Sequence, residues 1–261
     1  MPKVTVVVPT YNERENLPRL VDMLAALGVA DLHVLVVDDN SPDGTGEVAE
    51  KLAIEGPVPV SVLHRTVKDG LGRAYVAGMT RALEEGADIV VQMDGDLSHP
   101  CEAIPVMINV LTTTDADGGV SRVAGRRPDI SDSPLSPAVV LGSRYVPGGA
   151  TASEWPWHRK ALSAWANFYV NTILRLRVKD ATAGFKAWHA ATLRAIDVAS
   201  VQSNGYAFQV EMNYRVVRQG MRIAEVPIRF EERSAGASKM SLGVQLESAL
   251  IPWKLRFNKQ V

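Results

Sequence analysis

Residues 4–27 read VTVVVPTYNERENLPRLVDMLAAL: a β-branched run that ends at Pro9, a polar loop, and then apolar residues at helical spacing from Asn16 to Leu27. A run of valines without polar alternation suits a strand covered on both faces, as in a parallel sheet with helices on either side. The same unit repeats along the chain. Further runs at His33–Val37, Val60–His64, Ile89–Met93 and Ala138–Gly142 alternate with helical stretches at Thr45–Ile54, Arg73–Glu85 and Glu102–Leu111. That alternation predicts a Rossmann-like α/β half with a mostly parallel central sheet.

Residues 112–137, TTTDADGGVSRVAGRRPDISDSPLSP, break the pattern with Thr, Gly, Ser, Asp and Pro, and predict a surface insertion between a helix and a strand. After residue 143 the alternation is lost. Trp157–Leu176 and Phe208–Gln219 read as helices, Ile223–Phe230 as an irregular strand, and Leu242–Phe257 as a terminal helix interrupted by Pro252. The expected division is one α/β domain over residues 1–241 with a C-terminal interfacial helix and tail over 242–261.

The 261 residues are 46% apolar and 22% charged, with a single cysteine, Cys101, which excludes a disordered chain, a collagen or a disulfide scaffold. A reducing compartment is the default. The net charge of −1 hides a split: residues 1–100 hold 8 Lys/Arg against 16 Asp/Glu, and residues 101–261 hold 20 against 13. Such a division suits an acidic part that holds metal and a basic part that holds phosphates, or else a solvated surface with no such meaning. The longest uncharged stretch, Ala161–Leu174, has 14 residues, short of the roughly 20 that a spanning helix needs. The N-terminus reads as a first strand and not as a signal peptide.

Ligands of open parallel sheets bind beyond the carboxyl ends of the strands. Three such ends are polar here: Pro9-Thr10-Tyr11-Asn12-Glu13, Asp38-Asp39-Asn40-Ser41-Pro42-Asp43, and Asp94-Gly95-Asp96-Leu97-Ser98-His99. Asp94 and Asp96 offer hard oxygen ligands two residues apart, which suits Mg²⁺ or Mn²⁺ completed by water and substrate phosphate. An isolated Asp-Gly-Asp is more often a polar turn; its place after a buried strand, in register with two other acidic loops, favours the metal. Gly44-Thr45-Gly46-Glu47-Val48-Ala49 matches G-x-G-x-x-A, but six residues separate it from the strand and no acid follows at the dinucleotide distance. Arg159, Ser163, Asn167 and Asn171 recur every four residues and form a narrow polar stripe on an otherwise apolar helix. Periodicity leaves open whether the apolar remainder packs in the core or lies in a bilayer surface while the stripe faces the active site.

Seven ordered motifs, VVVPTYNERENL, VVDDNSPDGT, MDGDLSHP, LGSRYVPGG, KDATAGFKAW, GYAFQVEM and FEERSAGASKMS, together resemble the inverting glycosyltransferase family 2, in its branch that acts on polyprenyl phosphates. The resemblance implies a GT-A fold and transfer of mannose from GDP-mannose to a polyprenyl or dolichyl-type monophosphate. The product would be a lipid-linked mannose donor for glycolipid and lipoglycan synthesis and protein mannosylation. It implies that Pro9, Tyr11, Glu13, Val37 and Asp39 contact the nucleoside. Asp94, Gly95 and Asp96 would bind metal and donor diphosphate, with Ser98 a weaker candidate ligand. Arg144, Arg159 and Ser163 would hold the acceptor phosphate, and Arg233 and Lys239 would close on the donor diphosphate. It further implies a peripheral enzyme on the cytoplasmic face of a membrane, touching it through the Trp157 helix and through Trp253, Lys254, Arg256 and Lys259, with an integral membrane protein as a candidate anchor and no nucleic acid as partner. A UDP-sugar donor, a nucleotidyltransferase and an idle scaffold are the competing readings. The second lacks a glycine-rich basic N-terminal loop, and the third would need damaged motifs.

Overall fold

The computed structural model describes residues 1–113, 137–152, 156–231 and 242–257, with the side chains of His158, Arg159 and residues 242–249 excepted. Most of the insertion, residues 114–136, and the segment 232–241 therefore lie outside the described residues. The strands are β1 (Val4–Thr10), β2 (Leu32–Asp38), β3 (Val60–His64), β4 (Ile89–Gln92), β5 (Val139–Ser143), β6 (Lys186–His189) and β7 (Ile223–Pro227). They form one sheet in the order β3-β2-β1-β4-β6-β5-β7. β1 pairs in parallel with β2 and β4, β2 with β3, and β5 with β7, whereas β6 runs antiparallel to both β4 and β5. The mostly parallel sheet is as expected. The reversed strand β6 is what the sequence pattern missed, because Lys186-Ala187-Trp188-His189 is too short to show periodicity.

The helices are α1 (Asn16–Ala26), α2 (Thr45–Glu55), α3 (Leu71–Glu84), α4 (Ala103–Thr112), α5 (Trp157–Leu174), α6 (Ala190–Ala195), α7 (Gly205–Arg218) and α8 (Leu242–Phe257). Two apolar clusters cover the two faces of the sheet. One joins Val7, Leu35, Val37 and Val90 to α3, α5 and α7; the other joins Val6, Val34, Val36 and Val91 to α1 and α4. This is the origin of the valine-rich runs: alternate side chains enter opposite cores, so most positions are apolar, with Thr5 and Gln92 buried polar exceptions.

Three helices differ from the expectation. α7 begins at Gly205, three residues before the expected Phe208. α5 stops at Leu174 because Arg175 adopts a left-handed conformation, φ 55°, which ends an α-helix. α8 runs unbroken through Pro252, whose ring is buried. The missing N–H is outweighed there by tertiary contact, with Leu255 buried and Trp253 Nε1 donating to the Tyr169 hydroxyl at 2.9 Å.

Gly78 sets how closely α3 lies on the sheet, since a Cβ there would stand 2.4 Å from Val7 Cγ1 and 2.7 Å from Val37 Cγ2. We expect Gly78→Ala to destabilise the fold by about 1–3 kcal/mol through overpacking, read as a fall in the urea midpoint.

Candidate functional site

All strands but β6 end at one edge of the sheet, and β6 begins there. The polar loops after β1, β2 and β4 therefore meet the loop before β6, residues 180–185, at a single edge.

On one side of that edge the first two loops are tied together. Asp39 N donates to Thr10 O at 3.1 Å, Asn12 N to Ser41 Oγ at 3.1 Å, and Glu13 N to Thr45 Oγ1 at 3.0 Å. Asp38 accepts from the Thr10 and Ser41 hydroxyls at 3.2 and 2.6 Å and from Ser41 N at 3.1 Å. Tyr11 is partly exposed, and the Lys68 ammonium sits 3.3 Å from its ring centroid. Asp39 is buried and pairs with Arg65, which also pairs with Asp69. Burial raises the Asp39 carboxyl above its ordinary range, with Arg65 opposing the shift. Val37 is fully buried in the core beneath α3, so only its backbone can meet a ligand.

At the end of β4, Asp94 Oδ1 accepts the Tyr75 hydroxyl at 2.5 Å, and Asp94 N donates to His99 Nδ1 at 3.1 Å. Burial first, and the Asp94 charge next, push the Tyr75 phenol well above its usual pKa, which keeps it a donor. Asp96 Oδ1 accepts both Ser98 N, at 3.1 Å, and Ser98 Oγ, at 2.6 Å. The buried Ser98 hydroxyl thus supports Asp96. Among the described residues no three His, Cys, Asp or Glu side chains form a metal cage. Two adjacent carboxylates nevertheless fit Mg²⁺ or Mn²⁺, which are commonly held by one or two carboxylates together with phosphate oxygens.

Across β6 stands Arg144, just after β5. Its Nε and Nη2 grip Asp180 at 2.8 and 2.7 Å, Nη2 also reaches Thr182 Oγ1 at 2.9 Å, and its backbone N donates to Asp180 Oδ2 at 3.0 Å. Asp180 is fully buried and its own N–H is held by Glu225 Oε1 at 2.9 Å. The next residue, Tyr145, donates its hydroxyl to Ser163 Oγ at 2.7 Å. Arg144 and Ser163, expected at one phosphate, are thus joined through Tyr145. Arg159 lies one turn before Ser163 on α5 with its side chain outside the described residues; Arg233 and Lys239 also fall outside them.

The polar stripe of α5 faces inward. Asn167 Oδ1 accepts Ala181 N at 2.8 Å and Asn171 Oδ1 accepts Val178 N at 3.2 Å, so the two amides pin the irregular segment around Asp180. The opposite face leaves Trp157 80%, Trp165 56% and Phe168 70% exposed. Val170, Ile173 and Leu174 of the same helix pack in the core, so α5 combines an inward polar stripe, a core-packed edge and an exposed aromatic face.

Four residues escaped the sequence reading: Arg65, Tyr75, His99 and Asp180. Each acts by pairing with a residue far along the chain, and only Asp180 and His99 lay inside quoted motifs, without a role.

A polar layer underlies the site. Gln92 Nε2 donates to Gln209 Oε1 at 2.8 Å, and the buried Lys186 Nζ donates to Gln209 O at 3.1 Å and Asn213 Oδ1 at 2.9 Å. Burial lowers Lys186 to about 7, with Asp180 opposing. The unfolded chain, with an ordinary lysine at 10.5, then holds a proton that the folded chain lacks between those values. Stability from this group is therefore fully present above the unfolded pKa and is lost as pH falls through the folded one. We expect the urea midpoint of the wild type to rise from pH 7 toward about pH 9, and Lys186→Met to lessen that rise.

A family model described as Glycosyl transferase family 2 matches residues 5–198. The chain is 44% identical over 248 residues to an undecaprenyl-phosphate mannosyltransferase of Micrococcus luteus, covering 95% of this chain and 91% of that one. It is 40% identical over 257 residues to a polyprenol monophosphomannose synthase of Mycolicibacterium smegmatis, covering 97% and 88%. In fold it is similar to glucosyl-3-phosphoglycerate synthase of Mycobacterium tuberculosis, crystallised with Mn²⁺, UDP and glucosyl-3-phosphoglycerate, with a TM-score of 0.63, 16% identity and coverage of 97% and 77%. A mannosyltransferase of Pyrobaculum calidifontis with GDP-Man and Mn²⁺ gives a TM-score of 0.54 at 18% identity, covering 91% and 58%.

Proposed function

The chain belongs to glycosyltransferase family 2, and on that premise we propose that it transfers mannose from GDP-mannose to a polyprenyl monophosphate with inversion at the anomeric carbon. The observation that carries this reading is the placement, on either side of β6 at one sheet edge, of the Asp94 and Asp96 carboxylates and of the Arg144–Tyr145–Ser163 chain. A donor diphosphate and an acceptor phosphate need such neighbouring sites. The full-length likeness to two relatives with polyprenyl-phosphate mannosyl names supports the choice of sugar and acceptor.

In this reading the nucleoside lies against Pro9, Tyr11, Glu13, the Val37 backbone and Asp39. Asp94 and Asp96 hold a divalent cation beside the diphosphate, with Ser98 steadying Asp96. When bound, Mg²⁺ or Mn²⁺ supplies electrostatic stabilisation of the charge that grows on the leaving diphosphate. Arg233 and Lys239 act on the same charge from the protein side. Arg144, Arg159 and Ser163 orient the acceptor phosphate, and Asp180 fixes the plane of the Arg144 guanidinium by bidentate pairing. The attacking phosphate oxygen needs no general base, since a phosphomonoester with a second pKa of about 6 is largely ionised at neutral pH.

We expect labelled mannose to pass from GDP-mannose to polyprenyl phosphate in the presence of Mg²⁺ or Mn²⁺, and Asp96→Ala to abolish the transfer without unfolding the protein. Transfer only from UDP-sugars would refute the donor, and a fully active Asp96→Ala would refute the metal assignment.

No helix among the described residues is long and apolar enough to cross a membrane. We infer that the chain meets its lipid from the membrane surface, through the outward face of α5 and the end of α8. Trp165, Phe168, Tyr169, Ile173 and Trp253 line a groove of about 470 Å³ between those helices, and Arg256 stands at its rim. Exposed Arg175 and Arg256 line the same groove, and Lys254 is exposed on α8; a basic residue at an anionic surface contributes about 1 kcal/mol. We expect co-sedimentation with vesicles that contain anionic phospholipid, weakened by salt. A Trp165→Ser, Phe168→Ser double variant should lose that binding yet still turn over a water-soluble short-chain acceptor; equal loss of both would refute the surface.

A further inference from the structure

Two side chains outside the assigned site converge on Asp94 from different elements. Tyr75, in the second turn of α3, is fully buried and stacks parallel to Phe208 at 5.8 Å, which aims its hydroxyl at Asp94 Oδ1. His99 accepts the Asp94 N–H on Nδ1, so its ring proton stays on Nε2, 4.0 Å from Asp94 Oδ2. The imidazole is itself held, lying parallel to Phe185 at 5.1 Å and meeting the edge of Phe230 at 5.8 Å.

We propose that Tyr75 and His99 are positioning residues that set the Asp94 carboxylate in the orientation in which it holds a divalent cation. The proposal rests on the reading of Asp94 as a metal ligand. A short side chain beyond the end of a strand has two side-chain torsions and a pliable backbone to fix. The Tyr75 hydroxyl fixes one carboxylate oxygen, and the His99 nitrogen fixes the peptide that carries the residue. Phe185 stands just before β6 and Phe230 just after β7, while Glu231 N donates to Ser98 O at 3.2 Å. His99 therefore registers the Asp-Gly-Asp loop against the strands that carry the acceptor side. Outer hydrogen-bond partners of this kind orient metal ligands, and their loss typically lowers metal affinity 10- to 100-fold.

The test is Mn²⁺ affinity in the presence of GDP, followed by the electron paramagnetic resonance of free Mn²⁺, for the full chain and three variants. Tyr75→Phe removes only the hydroxyl. His99→Phe keeps an aromatic ring between Phe185 and Phe230 but removes the acceptor, and His99→Asn restores an acceptor oxygen close to where Nδ1 stands. Tyr75→Phe and His99→Phe should each weaken Mn²⁺ at least about 10-fold, with thermal midpoints near the wild type, and His99→Asn should recover most of the loss. Wild-type affinity in both phenylalanine variants overturns the proposal, as does failure of His99→Asn to recover any of it. Should His99→Phe not fold, Tyr75→Phe decides alone. Absence of Mn²⁺ binding in the wild type would instead overturn the metal reading of Asp94, and this proposal with it.

Discussion

The reversed strand β6, wedged between β4 and β5, is the constraint on which the site depends. A strand that opposes its neighbours delivers the start of its sequence to the edge where theirs end. The loop carrying Asp180 and Thr182 thereby arrives beside Arg144, and Phe185 arrives beside His99. Had the chain crossed over to another parallel strand, residues 180–185 would lie at the far edge, and Arg144 would face the ligand without its carboxylate. β6 also inserts Lys186 and Trp188 into a layer with Gln92, Gln209 and Asn213, which ties α7 to the floor of the site. Buried polar groups are tolerable there because each is hydrogen-bonded; one left unpaired would cost about 1–3 kcal/mol.

Helix α5 obeys the same accounting with the usual orientation inverted. A surface helix ordinarily turns its polar side outward. Here Ser163, Asn167 and Asn171 turn inward, where they meet Tyr145 and the backbone N–H groups of Ala181 and Val178. Those N–H groups belong to a segment that pairs with no strand, so the amides supply the acceptors that a ladder would have given. The tryptophan and phenylalanine left outside are a consequence of that inward commitment, and they give the helix a face suited to lipid.

The fold was legible where the pattern is long and local. β1 to β5 and α1 to α4 were each placed within two residues or so of their observed ends, since each pairs a strand run with a helix of more than two turns. β6 and α6, of 4 and 6 residues, are too short to carry a period, and Pro252 misled because packing overrode a local preference. The site was legible in its own charged motifs, which lie just beyond strand ends. Its supports were not, because Tyr75 to Asp94, His99 to Phe185 and Arg65 to Asp39 are tertiary pairings, and residue identity alone assigns no partner.

The charge split of the sequence does not survive as two opposed fields at the site. Arg65 stands on Asp39 inside the acidic part, and Asp180 and Glu225 stand behind Arg144 inside the basic part. Asp39 and Arg144 are thus each paired with an opposite charge from their own part of the chain. A bare buried arginine would carry a large desolvation penalty, and a carboxylate partner offsets it while fixing the guanidinium plane. The compensation also limits what charge alone can attract: a lone anion gains little at a paired Arg144. A ligand must match the fixed geometry of several donors at once to displace water profitably, so the pairs exchange raw attraction for orientation. In the proposed transfer between two phosphate-bearing molecules, where both are drawn to any cation, such orientation would keep donor and acceptor on their own sides of β6.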